Sequence, residues 1–293
     1  MALVINSNIS AYTAQNQLAK TNIAQQSAMQ RLTSGLRINS AKDDSAGLAI
    51  ANTMTSQLRG MGQAMRNAND GISMAQTAEG ALTESNTILQ RMRELGVQAA
   101  NGTNTTADQS KIAEEVSALA SEIDRIANTT TFNSKKVLTG AATGANAYQI
   151  QVDSKEVTTG TGTIAISVAS AGTLTGLGGA GSVLSAVSSQ SGALAQLSSQ
   201  ALAMAFVSAI DVAVSNGDTM RAQLGAVQNR LSSTVTNLQN ISESTTAARS
   251  RIQDTDFAAE VANLTRSQIL SQAGTAMLSQ ANQSQQNVLS LLR

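Results

Sequence analysis

The chain has 293 residues, 42 % of them hydrophobic and only 13 % charged, with 19 cationic and 19 anionic side chains and a net charge of zero. That balance excludes the basic face on which nucleic-acid binding depends, and its thin charge lacks the self-repulsion that keeps proteins apart, which suits self-association. Histidine and cysteine are absent, which removes Ser–His–Asp and Cys–His nucleophiles, thiolate zinc sites and paired-histidine metalloprotease sites, so no enzyme activity, metal or cofactor is expected.

From Met1 to Met29 the only charged side chain is Lys20, and the stretch is patterned as a helix. A helix with a modest apolar stripe and almost no charge cannot offset its own ordering entropy alone, so it is expected to be buried against other helices. Gln30 to Ala51 carries two glycines, two aspartates and several serines. It reads as an irregular connector with turns, re-entering helix near Ser45. Asp43 and Asp44 are expected to do turn chemistry there, with Lys42 and Arg37 as ion partners.

Proline is absent, so nothing forces a break in a long helix. Leu82, Ser85, Leu89, Met92, Gly96 and Ala99 fit a heptad, and Met65 to Ala99 predicts a rod of about 35 residues and roughly 50 Å. NGTNTTAD predicts a turn and a helix start, with Thr106 or Asp108 as N-cap. Ile112, Val116, Leu119, Ile123 and Ile126 form the next heptad. Glu94 with Arg91 and Arg93, and Asp124 with Arg125, read as solvated surface pairs rather than acid–base machinery.

AYQIQVDSKEV and GTIAISVAS alternate apolar and polar residues and predict two strands, 147–152 and 163–169. A Gly/Ser/Ala-rich stretch follows. Its GLGGAG lacks the GK[ST] ending of a phosphate loop and the supporting unit of a dinucleotide site, so it reads as a loop or small surface domain. Helix is expected to resume near Leu194. The longest heptad runs Leu224, Val227, Leu231, Thr234, Leu238, Ile241, Thr245, Ala248 and Ile252. Ser267 to Leu292 is uncharged, with Leu270, Gly274, Met277, Ala281, Ser284, Val288 and Leu291 in 4-3 spacing. No run reaches the ~18 apolar residues of a membrane helix, and no basic-then-apolar leader is visible, so no membrane insertion is expected.

MALVINSNISAYTAQNQLAKT followed by QRLTSGLRINSAKDDSAGLAIA resembles the N-terminal region of bacterial flagellin. AARSRIQDTDFAAEVANLTRSQILSQAG, from Ala247 to Gly274, and the closing NVLSLLR resemble its C-terminal region. The resemblance spans roughly residues 1–140 and 208–293. It implies a mainly α fold: a long coiled-coil-like helical hairpin or bundle formed by the N- and C-terminal regions, with a small β-hairpin and a short variable central insertion. Residues 1–44 and 255–293 would form the inner coiled-coil domain. Residues 45–140 and 200–254 would form a helical rod, 141–171 its β-hairpin region and 172–199 a variable outer segment.

The function implied is a structural subunit of the hollow, helical flagellar filament, secreted without a cleaved signal and extracellular once assembled. A hook–filament junction protein is the nearer alternative, and a coiled-coil adhesin a more distant one. The implied partners are further copies of the chain, an export chaperone, cap and hook-junction proteins, and host flagellin receptors. Self-assembly would draw on Ile5, Ile9, Leu18, Leu32, Leu270, Met277, Ala281, Val288 and Leu291. Gln90, Arg91, Glu94 and Leu95 match the segment bound by the animal flagellin-sensing Toll-like receptor, with Glu115 a further contact. The plant receptor kinase epitope matches at Gln30, Arg31, Leu32, Gly35, Arg37, Ile38, Asn39, Lys42, Asp43, Asp44, Gly47 and Leu48. Departures there are the order Thr33-Ser34, Ser45 where Ala is common, and Ala49 where Gln is common; they bear on potency rather than identity.

Overall fold

The computed structural model describes residues 8–138, 148–153, 163–166, 193, 195 and 197–290. Among them are five helices and two small antiparallel strand pairs: α1 (Ile9–Ser34), α2 (Ser45–Ala99), α3 (Thr106–Thr129), β1 (Thr131–Phe132), β2 (Lys135–Lys136), β3 (Tyr148–Gln151), β4 (Thr163–Ile166), α4 (Gln200–Gln253) and α5 (Phe257–Ser290). The chain divides into two compact units, residues 1–58 with 243–293, and 59–242.

In the first unit, α1 begins where the Asn8 side chain accepts from Ala11 N at 3.0 Å and ends at Gly35. That glycine holds φ +70°, a left-handed cap that a side chain would strain, and its N–H donates to Arg31 O. The connector is shorter than expected. Gln30–Ser34 complete α1, α2 starts at Ser45, and only Gly35–Asp44 is irregular. A single antiparallel bridge, Leu36 to Asp254, ties the connector to the link before α5. Arg37 N donates to Gln253 O at 2.7 Å and Thr255 N to Gly35 O at 3.1 Å.

In the second unit, the heptads mark the buried faces except toward the end of the longest one, where Ile241 is exposed. Leu82, Leu89, Met92, Gly96 and Ala99 of α2 are buried, as are Ile112, Val116 and Ile123 of α3 and Leu224, Leu231 and Leu238 of α4. α2, α3 and the N-terminal half of α4 share one core around Phe206, Leu89, Met92 and Val116. Each such large side chain contributes about 1.5–3 kcal/mol through burial. The buried Ser85 hydroxyl donates to Ala81 O at 2.9 Å. α4 contains an 18-residue window apolar enough to cross a bilayer by composition. Its apolar side chains Ala203, Phe206, Ala209, Ile210 and Ala213 belong to this core, whereas Leu202, Met204 and Val212 are exposed.

α3 starts one residue earlier than the sequence indicated. The N-cap is Thr105, whose hydroxyl oxygen accepts from Asp108 N while the Asp108 carboxylate accepts from Thr105 N, a reciprocal capping box. Asp108 is the third helical residue, not the cap. β1 and β2, which no alternation in the sequence marks, form a two-residue hairpin through Asn133 (φ 50°) and Ser134 (φ 64°). β3 and β4 pair as the alternation predicted, Tyr148 opposite Ile166 and Gln151 opposite Thr163. Ile164 and Ile166 face a second core with Ala78 and Leu82 of α2 and Leu231 of α4. Asn67 Nδ2 donates to Gln151 O at 3.0 Å and fastens β3 to α2. The strand ends at Ala147 and 167–169, the site of Leu194 and most of 172–199 lie outside the described residues.

Candidate functional site

Two surfaces carry the residues singled out by sequence. The first is the α1–α5 pair. The helices run antiparallel: Asn8 Nδ2 donates to Ala281 O at 3.1 Å, Leu18 packs on Gly274, and Arg31 lies 3.9 Å from Glu260. The facing residues are mostly small or polar, Ala11, Ala14, Thr21 and Ala28 against Glu260, Ser267, Ser271, Gly274 and Ala281, with Leu18, Leu264 and Leu278 among them, all buried or half-buried. Leu32 is half-buried as well.

Several other large apolar side chains point away from this seam. Ile9, Tyr12 and Ile23 of α1 are exposed, as are Leu270 at 48 % and Met277 at 64 % on α5. The C-terminal stripe read from sequence therefore mixes two faces: Gly274 and Ala281 meet α1, whereas Leu270 and Met277 are free. Val288 lies in α5 without a described side chain, and Ile5 and Leu291 lie outside the described residues.

A cleft of about 450 Å³ opens beside the seam, lined by Lys20, Arg31, Glu260 and Arg266 among small, polar and apolar neighbours that include Leu270. These four are the only charged residues of α1 and α5.

The connector holds the expected turn chemistry, but not the expected ion pairs. The Asp43 carboxylate accepts from Asn39 N, Ser40 N and Ser40 Oγ, at 3.2, 2.9 and 2.9 Å. The Ser40 hydroxyl, then the Ser40 and Asn39 amides, hold its pKa below the ordinary 3.8. Asp44 Oδ1 caps α2 by accepting from Gly47 N at 2.9 Å. Arg37 instead donates to Ile252 O at 2.6 Å, and among the described residues Lys42 forms no ion pair with either aspartate. Of the residues matched to the plant epitope, Ile38 and Gly47 are buried and Leu48 is half-buried. Gln30, Gly35, Arg37, Asn39, Lys42 and Asp43 are exposed, whereas Arg31, Leu32 and Asp44 are half-buried.

The second surface joins α2 and α3. Arg91 donates to Glu115 Oε1 from Nη2 at 2.8 Å and to Glu94 Oε2 from Nη1 at 3.0 Å. The Glu115 hydrogen bond, then that to Glu94, raises the Arg91 pKa above its already high ordinary value. Gln90 is exposed beside them, whereas Leu95, at 2 % exposure, belongs to the core and supports the surface from beneath. Two partners differ from those read in sequence. Arg93 pairs with Asp211 of α4 at 2.6 Å, and Arg125 with Glu122 at 2.5 Å. A spacing rule on one helix has no access to the first, which lies 118 positions away.

Two family models match: the bacterial flagellin N-terminal helical region over residues 5–143, and the bacterial flagellin C-terminal helical region over 207–292. The chain is 45 % identical to a flagellin of Bacillus subtilis over 99 % of both chains. It is 39 % identical to flagellin D of Vibrio anguillarum over the whole of both. A solved Bacillus cereus flagellin aligns with 29 % identity and a TM-score of 0.45, over 59 % of this chain and 88 % of that one. With both helical regions matched and full-length relatives at this identity, the chain belongs to the bacterial flagellin family.

Proposed function

We propose that this flagellin does its work, as a structural subunit of the flagellar filament, through the outward faces of the paired α1 and α5. The observation that carries this reading is the exposure of Ile9, Tyr12, Ile23, Leu270 and Met277 on two helices almost free of charge. Burial of that apolar area against further copies contributes about 25 cal/mol per Å² and offsets the ordering of helices whose own seam is thin. Neutral Gln, Ser and Asn allow hydrogen bonding between copies without stranding charge. The contact joins different faces of successive copies, so it does not close and propagates as a helix.

In this reading residues 1–44 and 255–293 form the inner domain, and 45–140 with 200–254 the rod, with 141–171 its β-hairpin region and 172–199 the outer segment. The chain leaves the cell through the flagellar export route with a chaperone, and meets cap and hook-junction proteins at the filament ends. Host receptors would read Gln90, Arg91, Glu94 and Glu115 on the animal side and the 30–51 connector on the plant side. The half-exposed Arg91–Glu94–Glu115 cluster supports the former.

Seeded polymerisation tests the core of this. Intact chain added to short filament fragments extends them, and a chain lacking residues 267–293 does not. Equal growth by the truncated chain would remove α5 from the account.

A further inference from the structure

On helices otherwise cleared of charge, the four charges that remain converge on one cleft. Lys20, Arg31, Arg266 and Glu260 line it, three cations and one carboxylate, a net of +2. Glu260 is 7 % exposed and engages Arg31 at the edge of ion-pair range, 3.9 Å. Among the described residues neither Lys20 nor Arg266 has an ion-pair partner. In an isolated chain both are solvated. Once copies pack on this face, two cations without counter-charges are taken from water, which is strongly unfavourable unless anions come with the neighbour.

The same unit carries the complementary surplus. The connector and the link before α5, residues 35–44 and 254–256, hold Asp43, Asp44, Asp254 and Asp256 against Arg37 and Lys42, a net of −2. Asp43, Asp254 and Asp256 are exposed. All four carboxylates accept from neutral donors, Ser40, Gly47, Ser250 and Ala258; none has an ion pair among the described residues, and Arg31 of the same chain acts on Asp43 only at longer range. From Lys20 to this junction is about 24 Å along α1 at 1.5 Å per residue. A parallel copy displaced by about that amount sets its junction beside the Lys20 end of the cleft, and a smaller displacement sets it nearer Arg31.

We infer that the Lys20–Arg31–Arg266 cleft is the socket for the acidic 35–44/254–256 junction of a second copy of this chain, and that this charge contact fixes the stagger between neighbouring copies. Apolar faces slide with little penalty; a single socket for opposite charge does not, so the contact selects one register from many. The inference rests on the assembly reading above and adds the residues that meet.

Filaments grown from a mixture of unlabelled and ¹⁵N-labelled chain, treated with a water-soluble carbodiimide and digested, provide the test. The reagent condenses a lysine amine with a carboxylate in contact. The expected product joins the Lys20 peptide to a peptide bearing Asp43 and Asp44, or Asp254 and Asp256, with mixed isotopes, in filaments and not in monomers. Filaments in which Lys20 stays free, or is joined to a different carboxylate, overturn the socket and leave assembly intact. Failure of the intact chain to extend seeds overturns assembly and the socket with it. As a second arm, Arg266→Gln, checked for unchanged helix content, raises the critical concentration for seeded growth about tenfold at low salt and less at high salt. Growth equal to the unsubstituted chain at low salt counts against the socket.

Discussion

Gly96 of α2 and Val207 of α4 approach so closely that a Cβ built on the glycine stands 2.8 Å from Val207 Cγ2 and 3.0 Å from the Phe206 ring. Alanine at an exposed helix interior gains about 1 kcal/mol over glycine. Here the added methyl has no room, and overpacking costs about 1–3 kcal/mol. Gly96→Ala is expected to lower the thermal unfolding midpoint, and Gly96→Val to lower it further. Gly80, on the same helix with open space around it, gives the opposite sign: Gly80→Ala raises stability by about 1 kcal/mol. Calorimetry on the three variants checks both signs.

The capping box at the start of α3 separates two adjacent threonines. Thr105→Ala removes the cap and is expected to cost about 1 kcal/mol, whereas Thr106→Ala, inside the helix, changes stability by less than about 0.5 kcal/mol. Denaturant midpoints that rank them the other way would restore Thr106 as the cap.

Acid should weaken the fold in a defined window. Asp43, Asp108 and Glu122 all have pKa values lowered by hydrogen bonds, from Ser40, Thr105 and Arg125 respectively. A carboxyl with a depressed folded pKa contributes stability that is present above its unfolded pKa and lost as pH falls through the folded value. Stability carried by these groups is therefore level above the ordinary values of 3.8 and 4.5 and declines below them. A urea-midpoint series from pH 7 to pH 3 reads this directly, and a decline already complete at pH 6 would rule these groups out as the cause.

Leu270 and Met277 should matter to the assembly and not to the single chain. Replacing Met277 with Gln leaves monomer unfolding within about 0.5 kcal/mol of the original, as for other exposed positions, while raising the critical concentration for seeded growth. A variant that unfolds earlier but polymerises normally would reassign Met277 to the intrachain seam.

If the Arg91 cluster is read by an animal receptor, Arg91→Ala lowers receptor activation by about tenfold, as loss of an interfacial Arg anchor does. Its melting is little changed, because exposed pairs contribute little to stability. Arg125→Ala, which breaks another exposed Arg–Glu pair, serves as the control. Equal activation by both variants would remove Arg91 from the recognition surface.

Periodicity alone indicates part of the core: Leu82, Leu89, Val116, Ile123 and Leu231 stand at heptad positions and are buried, whereas Leu95, Phe206 and Ile210, equally buried, stand outside the heptads. What it missed depended on contacts from elsewhere in the chain or on tandem choices. Thr105 and Thr106 are chemically alike, and only the backbone decides which one is the cap. Asn133-Ser134 is a weak turn signal without glycine, so the β1–β2 hairpin leaves little trace in the sequence. Arg93 finds Asp211 on another helix, and no pattern within α2 shows it. On α5 the 4-3 stripe through Leu270 and Met277 competes with the one through Leu264 and Leu278, and weakly polar residues on every face blur which one meets α1. The charges of α1 and α5 were legible one by one, but their convergence was not, since it requires the antiparallel register.

That register has one more consequence. The earliest described helix finds its partner in the latest, with Asn8 bonded to the carbonyl of Ala281. A chain broken anywhere between them, or terminated before α5, presents an unmatched α1 rather than a slightly weaker pair. Assembly is therefore expected to depend on both ends of the same chain at once, because a subunit without α5 leaves the α1 face of Ala11, Leu18 and Thr21 uncovered.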